Sequence, residues 1–323
     1  MRISIAMATY NGAQYIQEQL QSFVDQTRQP DELIITDDCS TDETEAIVRE
    51  FAKTAPFTVE FHRNEKNLGY CGNFNAALMK TSGDLVFLSD QDDVWFPEKI
   101  EHMIGVADRN PQALVVMNDA ALTDGELNEA GLTKVGQIRS AGFSMESFVM
   151  GCCCAVRREL LDFCMPIPAG VKGHDNWLVQ FADGLDAKVV DPTPLQYYRR
   201  HESNESQFIA NRTTKVTRGQ ARLEKVKGVF RQDSLTARKQ QLEQLAIFAD
   251  GIAMAVELAP DSYKGPLTQL ELNYREKAKT SANRLSVVEK PLFSRVFAVS
   301  WLLMKGGYSN ASGIRSAIRD VVG

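Results

Sequence analysis

Three acids fall within four residues at Asp90-Gln91-Asp92-Asp93, directly after the apolar run Leu85-Val86-Phe87-Leu88. Carboxylates this close repel one another unless positive charge sits between them. A divalent cation gripping a diphosphate would supply that charge, since hard cations take oxygen ligands and share them with phosphates. A solvated turn is the competing reading, because Asp is common after strands. Two earlier apolar runs end in related chemistry, at Thr9-Tyr10-Asn11 and at Asp37-Asp38. The first offers a ring that could stack on a base. The second offers a carboxylate that could accept from a base N–H.

The elements around these residues explain how they could meet. Ile3 to Ala8, Glu32 to Thr36, Thr58 to His62 and Leu85 to Ser89 read as strands. Between them Tyr15, Ile16, Leu20 and Phe23, then Ile47, Val48 and Phe51, then Phe74 and Leu78, recur at helical spacing. Alternating strands and helices predict an α/β fold with a mainly parallel sheet flanked by helices. In such a sheet the strand-end loops leave from one edge and line one cleft. A helix follows Pro97, a fifth strand spans 113–117, and 148–157 returns as a strand or buried segment. Residues 125–142, polar and Gly-rich, read as a loop of the kind that caps active sites. No G-x-x-x-x-G-K-[ST] or G-x-G-x-x-G follows the first strand, which weakens kinase, ATPase and dehydrogenase readings.

Composition sets the frame. The chain has 323 residues, 44% hydrophobic and 24% charged, with a net charge of -6. That argues against a nucleic-acid-binding protein. Residues 199–243 carry 11 Lys/Arg against 5 Asp/Glu, a basic stretch in an otherwise acidic chain. It could meet a phosphate-bearing acceptor or an anionic membrane face, or be the solvated face of helices. The six cysteines lack zinc-site spacing, and Cys152-Cys153-Cys154 read as small buried side chains in a reducing compartment. With no signal-peptide pattern at Met1-Arg2, a cytoplasmic setting is expected, at the inner face of the plasma membrane if membrane-associated. After about residue 205 the pattern turns to long helical stretches, so residues 1–205 and 206–323 are expected to be separate regions. The apolar stretch 292–304 is too short to span a bilayer. Burial as ordinary core is the default for so apolar a helix. Pairing in a homodimer or peripheral membrane association are its alternatives.

Four motifs in order resemble glycosyltransferase family 2. They are Ala8-Thr9-Tyr10-Asn11-Gly12, Asp37-Asp38-Cys39-Ser40-Thr41-Asp42, Asn67-Leu68-Gly69 and Ser89 through Lys99. His174-Asp175-Asn176-Trp177 and Tyr198-Arg199-Arg200-His201 resemble the bacterial rhamnosyltransferase-like branch. The resemblance implies a GT-A fold and an inverting transfer from a nucleotide-sugar, usually with Mg²⁺ or Mn²⁺. It implies that Thr9, Tyr10, Asn11, Asp37, Asp38 and Asp90 bind the donor nucleotide. Asp92 and His201 would hold the metal, while Asp93, Trp177, Arg199 and Arg200 would serve the donor sugar, phosphates or acceptor. Asp175 would be the general base, because inverting transfer needs one carboxylate to take the acceptor hydroxyl's proton. Capping the following helix is the other role open to Asp175. His174 would support by hydrogen bonding. The expected substrates are a dTDP- or UDP-sugar, with rhamnose favoured, and a glycan or lipid-linked glycan acceptor in cell-surface polysaccharide synthesis. The rivals are a sugar-1-phosphate nucleotidyltransferase, which needs a Gly-rich basic loop not found here, and a non-catalytic nucleotide-sugar-binding subunit.

Overall fold

The computed structural model describes residues 1–145, 148–201, 208–224, 235–308 and 313–322. It divides into two compact units, Met1–Ala221 and Arg222–Gly323. In the first, β1 (Ile3–Thr9), β2 (Glu32–Asp37), β3 (Thr58–Arg63) and β4 (Leu85–Ser89) alternate with α1 (Ile16–Val24), α2 (Thr44–Phe51) and α3 (Gly69–Leu78). These strands pair in parallel in the order β3-β2-β1-β4. Strands β2 and β4 are buried throughout, and β1 is nearly so, which is why they read as apolar runs without alternation. Ile16, Leu20 and Phe23 of α1 pack with Ile5, Phe87 and Trp95 in the main core.

Beyond β4 the sheet is mixed. The remaining elements are β5 (Val94–Trp95), α4 (Lys99–Arg109), β6 (Val115–Thr123), β7 (Glu129–Thr133), α5 (Lys134–Ala141), β8 (Cys154–Arg157), α6 (Arg158–Cys164), α7 (His174–Gly184) and β9 (Lys188–Arg199). Strand β8 runs antiparallel to both β4 and β6, β9 is parallel to β6, and β5 pairs antiparallel with β9. The parallel expectation thus holds for the first half and gives way in the second. The stretch 125–142, expected as a loop, contains β7 and α5. Thr133 caps α5 by accepting from the Gly136 N–H, and Gly142 ends it in the left-handed region at φ 75°. The first unit also continues to Ala221, past the expected boundary at 205, because Ile209, Val216 and Ala221 pack with Ala141.

The second unit contains α8 (Leu235–Leu258), α9 (Asp261–Val288), α10 (Leu292–Met304) and α11 (Ile314–Val322). Phe248 of α8 stacks on Tyr274 of α9, with centroids 5.3 Å apart. Buried Asp320 accepts from Arg238 at 2.7 Å and from Arg284 at 2.8 and 2.9 Å, tying three helices through one carboxylate. Val299 and Leu302 of α10 are buried as expected, but most of its other apolar side chains are exposed. Parts of the basic stretch 199–243, namely 202–207 and 225–234, lie outside the described residues.

Candidate active site

The loops after β1, β2 and β4 meet at one edge of the sheet, as parallel pairing requires. The first two are stitched together. The N–H of Asn11 donates to Ser40 Oγ at 2.8 Å, that of Gly12 to Thr44 Oγ1 at 2.8 Å, and that of Thr41 to Asn11 Oδ1 at 2.8 Å. These bonds hold Asn11 at φ 46°, an uncommon backbone state for a residue with a side chain. Gln91 joins the third loop to the first, accepting from the Tyr10 N–H at 2.9 Å and donating to the Tyr10 carbonyl at 3.0 Å.

A cavity of about 820 Å³ opens there, and Thr9, Tyr10, Asp38, Asp90, Asp92 and Asp175 all line it. Asp38 is buried, and its Oδ1 accepts from the Leu68 N–H at 2.7 Å and from Asn64 Nδ2 at 3.0 Å. No described residue bonds its second oxygen. Tyr10 is half exposed and offers its ring to the cavity. Asp90 lies deep, where burial and then the charges of Asp92 and Asp175 push its carboxyl up to about 7. Asp92 Oδ2 lies 2.7 Å from His201 Nε2, and His201 stacks on Tyr15 with centroids 4.7 Å apart. Asp175 stands in the first turn of α7, its Oδ1 accepting from the Asn176 N–H at 2.8 Å.

Other expected site residues sit behind the cavity wall. Asp37 is wholly buried and accepts from Thr9 Oγ1 at 2.9 Å and from the Ser40 N–H at 2.8 Å, so its carboxylate fixes loops. Asn11 does the same from the other side and does not line the cavity. Asp93 is buried under the acidic loop, accepting from Gln196 Nε2 at 2.8 Å and the Arg199 N–H at 3.2 Å. Arg199 is buried, donating to the Asp92 carbonyl at 2.8 Å, to the Gly125 carbonyl at 2.9 Å and to Glu18. Its guanidinium also lies over the Tyr15 ring. Trp177 is 1% exposed, donates to the Cys164 carbonyl at 2.9 Å and packs edge-on to Phe181. It is core, two positions and 200° around the helix from Asp175. Arg200 and His201 line a neighbouring pocket with Arg212. His174 is stacked on Phe74 at 3.8 Å, and neither ring nitrogen has a hydrogen-bond partner among the described residues. Burial lowers its pKa, so its role is apolar packing at the cavity edge.

Three polar neighbours of these groups were given no role by the sequence. Lys99 is fully buried and donates to the Cys152 carbonyl at 2.9 Å and to Gln196 Oε1, with Nζ 3.9 Å from the Trp95 ring centre. Gln196 in turn holds Asp93. Lys134 lines the cavity from α5, bonds Asn211, and is brought down to about 8 by burial. The motif ending at Lys99 and the polar stretch 125–142 around Lys134 were the signals for two of them, and Gln196 had none.

The donor set suits a hard divalent cation. Asp90, Asp93 and Cys152 bring ligand atoms within 4.8 Å of one another, a group that shares the acidic loop with the expected ligand Asp92 but does not include it or His201. Burial, with Cys153 and Asp93 nearby, pushes the Cys152 thiol well up, so the carboxylates are the competent ligands. A cation would also relieve the repulsion that raises Asp90.

A parallel half-sheet with acids at its C-terminal edge and an antiparallel half closing the cavity is the plan of a GT-A nucleotide-sugar transferase. Residues 4–163, just under half of the chain, match the model of glycosyl transferase family 2, and that span is a glycosyltransferase domain of the family-2 type. The dTDP-rhamnosyl transferase RfbG of Shigella flexneri is 28% identical over 220 residues, 62% of this chain and 73% of that protein. An uncharacterized glycosyltransferase of Nostoc sp. is 32% identical over 127 residues, 39% of this chain and 38% of its own length. Among solved structures, S. aureus TarS 1–349 in complex with UDP superposes with a TM-score of 0.58 at 15% identity, covering 99% of this chain and 89% of that one. The mannosyltransferase PcManGT of Pyrobaculum calidifontis, in complex with GDP-Man and Mn²⁺, gives 0.50 at 18%, covering 99% and 86%. At these identities the structures establish the shared fold.

Proposed function

We propose that the protein is an inverting, metal-dependent glycosyltransferase that moves a sugar, rhamnose in our reading, from a dTDP- or UDP-sugar to a glycan hydroxyl. The observation that carries this is the convergence of Tyr10, Asp38, Asp90, Asp92 and Asp175 on one cavity. The Tyr10 ring stacks on the base, and the open oxygen of Asp38 accepts from a pyrimidine N–H. Asp90 and Asp92, with His201 behind Asp92, would hold Mg²⁺ or Mn²⁺, which neutralises a diphosphate and so makes it a better leaving group. Lys134 adds a cation to the cavity lining. Asp175 takes the proton of the acceptor hydroxyl as its oxygen attacks the anomeric carbon. One carboxylate suffices for this role, unlike hydrolysis with two flanking acids. Arg199, Asp37, Asn11 and Asp93 position these groups from behind.

Similarity to RfbG supports the dTDP-sugar and the rhamnose. Cell-surface polysaccharide assembly at the inner face of the plasma membrane is the setting we assign. A thermal-shift panel of UDP-, dTDP- and GDP-sugars with and without Mn²⁺ tests the donor reading. Stabilisation by dTDP- or UDP-sugars that requires the metal supports it, since a ligand that binds only the folded state raises the melting temperature. Metal-independent stabilisation, or response to GDP-sugars alone, contradicts it.

A further inference from the structure

Helix α10 is apolar around most of its circumference, and the second unit uses only part of it. Val299 and Leu302 pack with Val287, Tyr308 and Ala317. At about 100° per residue, Phe293, Phe297, Trp301 and Met304 fall on the opposite side, with Val296 at its margin. Their exposure runs from 43% at Val296 to 88% at Phe293. The one hydroxyl within that arc, Ser300, donates to the Val296 carbonyl at 2.9 Å and makes no polar demand. Soluble monomers rarely leave so continuous an apolar surface in water.

The charges around this face decide between occupants. Lys290 and Lys305 stand at its two ends, while Arg295 turns to the buried side and donates to the Lys290 carbonyl at 3.2 Å, and from residue 290 onward the sequence holds five Lys/Arg against one acid. That acid, Asp320, is buried and bonded by Arg238 and Arg284. The stretch therefore offers cations outward, and the acid just before it, Glu289, is paired with Lys239 at 3.2 Å. In a two-fold dimer the same patch meets itself, which would set cationic rim against cationic rim. An anionic lipid surface takes the aromatic face and satisfies the rim at once. No described helix is long and apolar enough to cross a membrane, which leaves a helix lying in the interface.

We propose that α10 docks the chain on an anionic membrane surface. Phe293, Phe297 and Trp301 enter the headgroup–acyl boundary, and Lys290 and Lys305 meet lipid phosphates. This inference does not depend on the donor or base assignments.

The test uses the full chain with phosphatidylglycerol-rich and pure phosphatidylcholine vesicles. The chain has three tryptophans, of which Trp95 and Trp177 are 2% and 1% exposed and Trp301 is 59% exposed. A blue shift on adding vesicles therefore reports Trp301. The expected result is a blue shift and co-sedimentation with the anionic vesicles, at least tenfold weaker with phosphatidylcholine and weakened by salt. The double variant Phe293→Ser/Phe297→Ser should lose at least tenfold in binding with an unchanged melting temperature, since both side chains are exposed. No blue shift with anionic vesicles, or equal binding by the variant, overturns the proposal. So does a dimer in buffer whose Trp301 is already blue-shifted, which would assign the face to a second copy.

Discussion

Replacing Lys99 with Met is the perturbation whose cost can be worked most fully from the structure. The side chains are similar in length, so the change removes the ammonium and little volume. It deprives the Cys152 carbonyl and Gln196 Oε1 of their donor inside the protein. An unsatisfied buried group costs roughly 1–3 kcal/mol, and a desolvated cation–π contact adds about 2 kcal/mol. Met carries no ammonium to desolvate, which offsets part of this. Burial indeed lowers the pKa of Lys99, against the pull of Cys153, Cys152 and Asp93. Breaking such a buried charged contact leaves a net loss of about 3 kcal/mol. For a unit of this size that is a fall of about 6–12 °C in melting temperature. A second effect follows from Gln196. Lys99 fixes its amide with Oε1 toward the ammonium and Nε2 toward Asp93. Without Lys99 the amide can turn, Asp93 loses its donor, and metal-dependent donor binding should weaken roughly tenfold, about 1.4 kcal/mol. Differential scanning calorimetry and titration of nucleoside diphosphate with Mn²⁺ read the two effects. A variant melting within about 1 °C of the parent with unchanged affinity would refute the reasoning.

Three further outcomes follow from the geometry. Trp177→Phe should destabilise by about 2 kcal/mol, through the lost bond to the Cys164 carbonyl, and leave the donor KM unchanged; a raised KM at unchanged stability would make Trp177 a sugar wall. Asp38→Asn should weaken uridine or thymidine diphosphate by roughly 10- to 100-fold in calorimetric titration, the worth of a hydrogen bond to a charged acceptor, and equal affinity would remove it from base recognition. Glu32 concerns acid stability: burial pushes its carboxyl up, but bonds from Ser4, Arg2 and Ser82 outweigh this and hold it at about 2. Because the folded-state value is depressed, its stabilisation of about 3 kcal/mol is complete above pH ~4.5 and is lost as pH falls toward 2. Urea midpoints at pH 7 and pH 3 should converge in Glu32→Gln relative to the parent, and equal pH dependence in the two proteins would contradict the assignment.

What the sequence made legible was local. The strands β1, β2 and β4 are apolar runs ending in polar loops, so both the parallel half of the sheet and the cavity-lining Asp38, Asp90 and Asp92 could be read from order alone. The misreadings have physical causes. Trp177 was grouped with Asp175 by adjacency, although two helical positions point to nearly opposite faces. Asp37 and Asp93 carry the same chemistry as their neighbours, but Asp37 ends β2 with its side chain buried and Asp93 turns under the acidic loop toward Gln196. Lys99 meets Gln196 through the pairing of β5 with β9, and Lys134 reaches the cavity through the packing of α5, long-range contacts that no local pattern encodes. The hairpin and helix within 125–142 were hidden by glycines, one of which, Gly142, serves as a helix stop.

The central claim is that donor binding and bond formation are divided between the acidic loop and α7. Measured on the donor selected by the binding panel, Asp175→Asn should keep donor affinity within about threefold and lose at least ~100-fold in nucleoside diphosphate release, the scale of a missing general base. Asp92→Ala should instead lose the metal-dependent binding itself. Turnover by Asp175→Asn at the parent rate, with the donor still bound, would contradict the account.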